Sequence, residues 1–85
     1  MKNKPMDSIC LNIVNELYEN SEEFRTLNDL YLDVKMEYKN KFPDAKFLEI
    51  TKHKITKSLN YLGYNGTVKR TNKGVFRGFY CRLKT

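Results

Sequence analysis

The chain is poor in the residues that build most enzyme and metal centres. Its 85 residues include one histidine, His53, and two cysteines, Cys10 and Cys81, at opposite ends. There is no Cys-x-x-Cys, and His53 has no Cys or His within ligand spacing, which argues against a zinc site. No Ser-His-Asp or Cys-His pairing has sequence support, and no glycine-rich phosphate loop is present. Glu22 and Glu23 are adjacent, but neighbouring side chains face differently. No enzyme activity and no cofactor are therefore expected. No apolar run approaches the ~20 residues of a membrane span, and Met1–Ser8 lacks the apolar centre of a signal peptide. These absences point to a cytoplasmic protein that avoids the membrane. Both thiols read as small buried hydrophobes in a reduced compartment, although the sequence does not say whether they meet in space.

Internal repeats, low-complexity tracts and Pro/Ser linkers are also missing, so residues 1–85 read as one domain. A chain of this length buries only about 60–65% of its unfolded surface. That leaves little room for a deep substrate cleft.

The most informative absence is of acid in the C-terminal part. Sixteen Lys and Arg against ten Asp and Glu give +6 overall. All ten acids lie in residues 1–50, where seven basic side chains leave a net −3. Residues 51–85 carry nine basic side chains and no acid, a net +9. This segment is also rich in apolar residues, so it reads as a folded electrostatic face rather than a solvating tail.

Ile9, Ile13 and Leu17, with Cys10 and Val14 beside them, predict a helix over Ser8–Asn20, capped by Asp7 or Ser8. Ser21, Glu22 and Glu23 interrupt that pattern. Phe24–Leu27 then reads as a short extended piece leading to Asn28 as the N-cap of a helix over Asp29–Lys41. Leu30, Val34 and Tyr38 lie on one face of that helix, and Pro43 stops it. A loop over Pro43–Lys46 precedes a third helix, Leu48–Leu62, with Gly63 as its C′ residue. Thr67–Thr71 and Val75–Leu83 read as strands joined by an Asn72-Lys73-Gly74 turn, with Val75, Phe79, Cys81 and Leu83 on a half-buried face. The expected fold is α+β: a winged helix-turn-helix of three helices, a short extended strand between the first two, and a C-terminal β-hairpin wing. The competing arrangement is a three-helix bundle with a basic tail, which the aromatic and β-branched residues of 75–83 oppose.

At about 100° per residue, Ile55, Leu59 and Leu62 cluster on one side of the third helix. His53, Lys57 and Asn60 fall opposite, Thr56 on the flank, and Lys54 and Tyr61 at the edges. In a helix-turn-helix this helix enters the major groove. Lys57 suits guanine or phosphate, and Asn60 has the donor and acceptor an adenine edge requires. Lys52 and Lys54 suit phosphate, which positions without specifying, and His53 is a solvated residue or phosphate contact. The hairpin adds Lys69, Arg70, Lys73 and Arg77, with Thr71 and Asn72 as neutral phosphate donors. Phe76 and Tyr80 have the opposite strand parity from Val75 and Phe79. They either stack on unpaired bases, pack on the helices, or lie beside Arg82.

The stretch Ile55-Thr56-Lys57-Ser58-Leu59-Asn60-Tyr61-Leu62-Gly63-Tyr64, then Val68-Lys69-Arg70-Thr71, then Gly74-Val75-Phe76-Arg77-Gly78-Phe79-Tyr80-Cys81-Arg82-Leu83-Lys84, resembles the C-terminal winged-helix domain of poxvirus-type helicase-primases of viruses, phages and mobile elements. The likeness covers roughly residues 47–84. It implies DNA binding in the replication of such an element, with a replication helicase or primase as a partner. The chain departs from that family in lacking any ATPase or primase portion, so it reads as a stand-alone module.

The leading expectation is a non-enzymatic DNA binder, of single or double strands, acting in replication or regulation. The alternative is a protein–protein adaptor or phage-type inhibitor whose basic face blocks an enzyme's nucleic-acid channel. RNA binding is a third reading. The acidic half is the candidate docking or homodimer surface, with Tyr18, Tyr31 and Tyr38 either on it or in the core.

Overall fold

A computed structural model describes residues 8–44 and 50–84. The first helix, α1 (Ser8–Leu17), runs straight into strand β1 (Tyr18–Thr26). The helix therefore ends before Asn20, and β1 is much longer than the Phe24–Leu27 piece expected. The reason is pairing with the C-terminal strand: Tyr18, Glu19 and Asn20 lie opposite Leu83, Arg82 and Cys81. Arg82 Nε donates to Glu19 Oε2 at 2.6 Å, and the Lys84 amide to the Leu17 carbonyl at 2.7 Å. Helical periodicity cannot register these distant partners. The pairing then shifts, so that Ser21, Glu22 and Glu23 bulge out before Phe24 meets Tyr80. Asp7, one of the expected caps, lies outside the described residues.

Helix α2 (Leu27–Lys41) begins earlier than expected, because Thr26 rather than Asn28 is its cap; Thr26 Oγ1 accepts from the Asp29 amide at 3.2 Å. The next helix, α3 (Lys52–Tyr61), is capped by Thr51, whose Oγ1 accepts from the Lys54 amide at 3.1 Å. Ile50 and Thr51 are not helical, so α3 starts later than the expected Leu48, which itself lies outside the described residues, as do 45 and 46 of the expected loop. Beyond the cap residue Leu62, Gly63 has φ of 91°. Its amide bonds to Asn60 O and that of Tyr64 to Leu59 O, a Schellman closure with Gly63 at C′ as expected.

Strands β2 (Gly66–Thr71) and β3 (Gly74–Leu83) form the hairpin, with Thr71 opposite Gly74. The turn is therefore the two residues Asn72-Lys73, with Gly74 already in the strand. The three strands make one antiparallel sheet in the order β1-β3-β2. At Gly78 a side chain would run into the Arg25 carbonyl and the Phe24 ring, so the close approach of β1 and β3 requires glycine there.

One core cluster joins all the elements but β2. Cys10, Ile13 and Val14 of α1 meet Leu30 and Val34 of α2, Ile55 and Leu59 of α3, and Tyr18, Phe79 and Cys81 from the sheet. Neither cysteine is in a disulfide, and neither has exposed surface. Tyr18 is core, while Tyr31 and Tyr38 are half-buried against it. Val75 and Leu83 share Phe79's parity yet remain exposed; the core reaches only the middle of β3. The chain is thus an α+β protein of three helices and a three-stranded antiparallel sheet, an arrangement compatible with a winged helix. No helix among the described residues is long and apolar enough to cross a membrane.

Candidate nucleic-acid interface

Helix α3 packs its Ile55, Ser58 and Leu59 side inward and leaves His53, Lys57 and Asn60 exposed, with Lys54 and Thr56 half-buried at the margins. Its first turn carries Lys52, His53 and Lys54 and no acid. Cations at the positive end of a helix dipole cost stability, on the order of 0.3–1 kcal/mol each, and a phosphate bound there would offset that cost. By contrast, α2 has Asp29 in its first turn and Lys39 and Lys41 in its last. Lys52 also lies over the Tyr31 ring, 6.0 Å from its centroid.

An open groove of about 370 Å³ separates α3 from the hairpin, lined by Thr56 and Asn60 on one side and Val68 and Arg77 on the other, with Phe79 at its inner edge. The register explains this: Arg77 lies opposite Val68, and Arg70 opposite Val75, on the Phe79 side of the ribbon. The structure thus brings Thr56, Asn60 and Arg77 around one groove and carries Arg70 along the same face. Asn72 and Lys73 are exposed in the turn beyond. Lys69 is the exception among the expected contacts, since it projects from the opposite face, over the rings of Phe24 and Tyr80. Thr71 is already engaged in the turn: its hydroxyl donates to the Gly74 carbonyl and accepts from the Lys73 amide. It is not the free phosphate donor expected. Tyr80 does not pack on the helices; its ring meets Phe24 edge-on.

Ion pairing divides the cations into two sets. Arg25 pairs with Asp33, Lys41 with Glu16 and Glu37, and Arg82 with Glu19. Arg82, counted in the basic half, is therefore neutralised by the scaffold, and its guanidinium is held further toward the charged form by the hydrogen bond to Glu19. Among the described residues Lys52, Lys57, Lys69, Arg70, Lys73 and Arg77 face no carboxylate within ion-pair distance. The acidic half supplies the counter-charges that lock the framework, while Lys52 and Lys57 of α3 and Lys69, Arg70, Lys73 and Arg77 of the hairpin keep their positive charge available.

Sequence reasoning missed Gly66 and Val68 as groove-lining residues and Phe24 as the partner of Tyr80. Parity within each strand is legible, but which residues face one another depends on register. No cluster of His, Cys, Asp and Glu suited to a metal ion occurs among the described residues. Comparison with family models, with curated proteins and with solved structures finds no match to the chain.

Proposed function

We propose that the chain is a winged-helix DNA-binding protein, with α3 as the helix that enters the major groove and the β2–β3 hairpin as the wing. The observation that carries this reading is an open groove lined by Thr56, Asn60 and Arg77, with Arg70 along the same face of the hairpin, Lys57 exposed on α3, and no acid in either element. Phosphate contacts from Lys52, Lys57, Arg70 and Lys73 supply affinity and register. Asn60 and Thr56 supply the polar groups that reach base edges. The resemblance of residues 47–84 to helicase-primase winged helices supports a role in the replication or regulation of a virus, phage or mobile element, without catalysis by this chain.

Fluorescence anisotropy with a labelled mixed-sequence duplex tests it. Affinity is expected to fall linearly on a log–log plot against salt, by a slope near −0.9 for each phosphate neutralised. The combined Lys57→Ala, Arg70→Ala, Lys73→Ala variant should lose most of the binding and flatten the slope. No duplex binding at low salt, or binding indifferent to salt, contradicts the proposal.

A second reading, an adaptor or inhibitor that occupies an enzyme's nucleic-acid channel, is favoured by Val68 and Val75. These lie between the hairpin arginines and are 52% and 59% exposed, apolar surface that phosphates do not require. Binding to a protein partner, competed by nucleic acid, in the absence of any DNA binding would select it.

A further inference from the structure

We propose that the sheet face turned away from the helices binds single-stranded DNA, stacking unpaired bases on Phe24, Tyr80 and Phe76 with Lys69 meeting the phosphates. This surface is separate from the α3 groove, and the inference stands or falls independently of the duplex-binding reading.

The alternation of β3 produces the face. Phe79 and Cys81 enter the core, so Phe76 and Tyr80 point the other way. Register sets Phe24 directly opposite Tyr80 and Lys69 opposite Phe76. The Phe24 and Tyr80 rings sit 5.6 Å apart between centroids at 65°. Gly78, lying between Phe76 and Tyr80 in the same row, has no side chain, and the Phe24 ring occupies the space above it. None of these three aromatics belongs to the core or to the residues packed against it. Phe76 is 37% exposed, Phe24 and Tyr80 are half-buried, and the Tyr80 hydroxyl has no hydrogen-bond partner among the described residues. Three aromatic rings share a sheet face over which no helix or strand of the described residues packs, a platform for flat ligands.

Charge decides the occupant. The Lys69 ammonium lies 4.9 Å from the Phe24 centroid and 5.2 Å from that of Tyr80, with no carboxylate paired to it among the described residues. A purely apolar partner would desolvate this cation without a counter-charge. Of the other charges near this face, Arg82 pairs with Glu19, and Glu23 of the bulge lies close to the same guanidinium, at the end of the face away from Lys69. A ligand that brings flat π-surfaces and anions together satisfies both features, and unpaired nucleotides do so, whereas a duplex hides its base faces. Every base has a π-face, so this recognition tolerates sequence.

The test uses the intact chain and a short oligothymidine carrying 5-iododeoxyuridine. Photocrosslinking followed by peptide mass mapping is expected to place adducts on Phe24, Phe76 or Tyr80. Adducts confined to α3 or the groove side of the hairpin, or none at all, overturn the proposal. In parallel, Tyr80→Leu and Phe24→Leu, checked for folding by thermal unfolding, should weaken oligothymidine binding about 5- to 150-fold, the equivalent of ~1–3 kcal/mol per stacked base, and leave duplex affinity unchanged. Lys57→Ala should do the reverse. Equal losses on both probes contradict a separate single-strand face. Crosslinks at Tyr80 in a protein that binds no duplex would sustain this inference and remove the α3 reading.

Discussion

The Tyr18 hydroxyl donates to Asp33 Oδ2 at 2.8 Å, fastening the first residue of β1 to the middle of α2. The same oxygen accepts from Arg25 at 2.6 Å, and the Tyr64 hydroxyl donates to the Tyr18 carbonyl at 2.9 Å. One carboxylate in the acidic half thus orients α2 and β1, while Tyr64 ties in the segment that follows α3. The site rests on this framework.

Replacing Asp33 with Ala leaves the Tyr18 hydroxyl and the Arg25 guanidinium without their acceptor. The expected cost is about 1–3 kcal/mol. In a domain of this size that lowers Tm by roughly 4–8 °C for each kcal/mol. Thermal unfolding measures the loss, and DNA affinity of the folded fraction should be unaffected.

Alkaline pH should weaken the fold through two buried groups. Burial pushes the Cys81 thiol up to about 11 from an ordinary value of 9.0. Burial, and then the hydrogen bond to Asp33, also raise Tyr18. Because both native groups hold their protons more tightly than the unfolded chain does, their contribution is complete below about pH 9. The Cys81 contribution, on the order of 2 kcal/mol, is lost as pH rises from about 9 to about 11, and Tyr18 adds to the fall above about 10. Urea midpoints at pH 8 and pH 11 check this, and Cys81→Ala should show the smaller difference. Equal midpoints at the two pH values count against it.

Two glycines should differ in cost. Gly78→Ala drives a methyl group into the Arg25 carbonyl and the Phe24 ring, parting β1 from β3, and is expected to prevent stable folding. Gly63→Ala meets nothing within 4 Å and suffers only from its positive φ, a penalty of about 1–2 kcal/mol. Far-UV circular dichroism with thermal melts separates the two outcomes.

Both thiols should be silent to a thiol reagent in the native protein. Cys10 and Cys81 have no exposed surface, so labelling should follow the unfolding equilibrium and quicken with urea. Rapid labelling of either in the absence of denaturant contradicts the packing described.

What the sequence makes legible is local. Gly63 declares the end of α3, and the Ile55 and Leu59 stripe separates its buried side from His53, Lys57 and Asn60. The hairpin is announced by Asn72-Lys73-Gly74 between β-branched and aromatic runs. The α1–β1 boundary is hidden because Tyr18 follows the helical stripe without a break, and only β3, more than sixty residues away, captures it. Lys69 illustrates the same limit within the site. Its charge suggests a partner to Arg70, yet strand alternation sends the two to opposite faces. Arg82 is indistinguishable from the other cations until Glu19 is found beside it.

The most direct measurement is amide chemical-shift mapping of the isotopically labelled protein titrated with a short DNA duplex. Perturbations are expected to concentrate on α3 and on the groove side of the hairpin, around Lys57, Asn60, Arg70 and Arg77. The acidic bulge at Ser21, Glu22 and Glu23 should stay unperturbed. Perturbations centred on α1 and the bulge, or no change at low salt, would contradict the claim that the acid-free half is a DNA-binding surface.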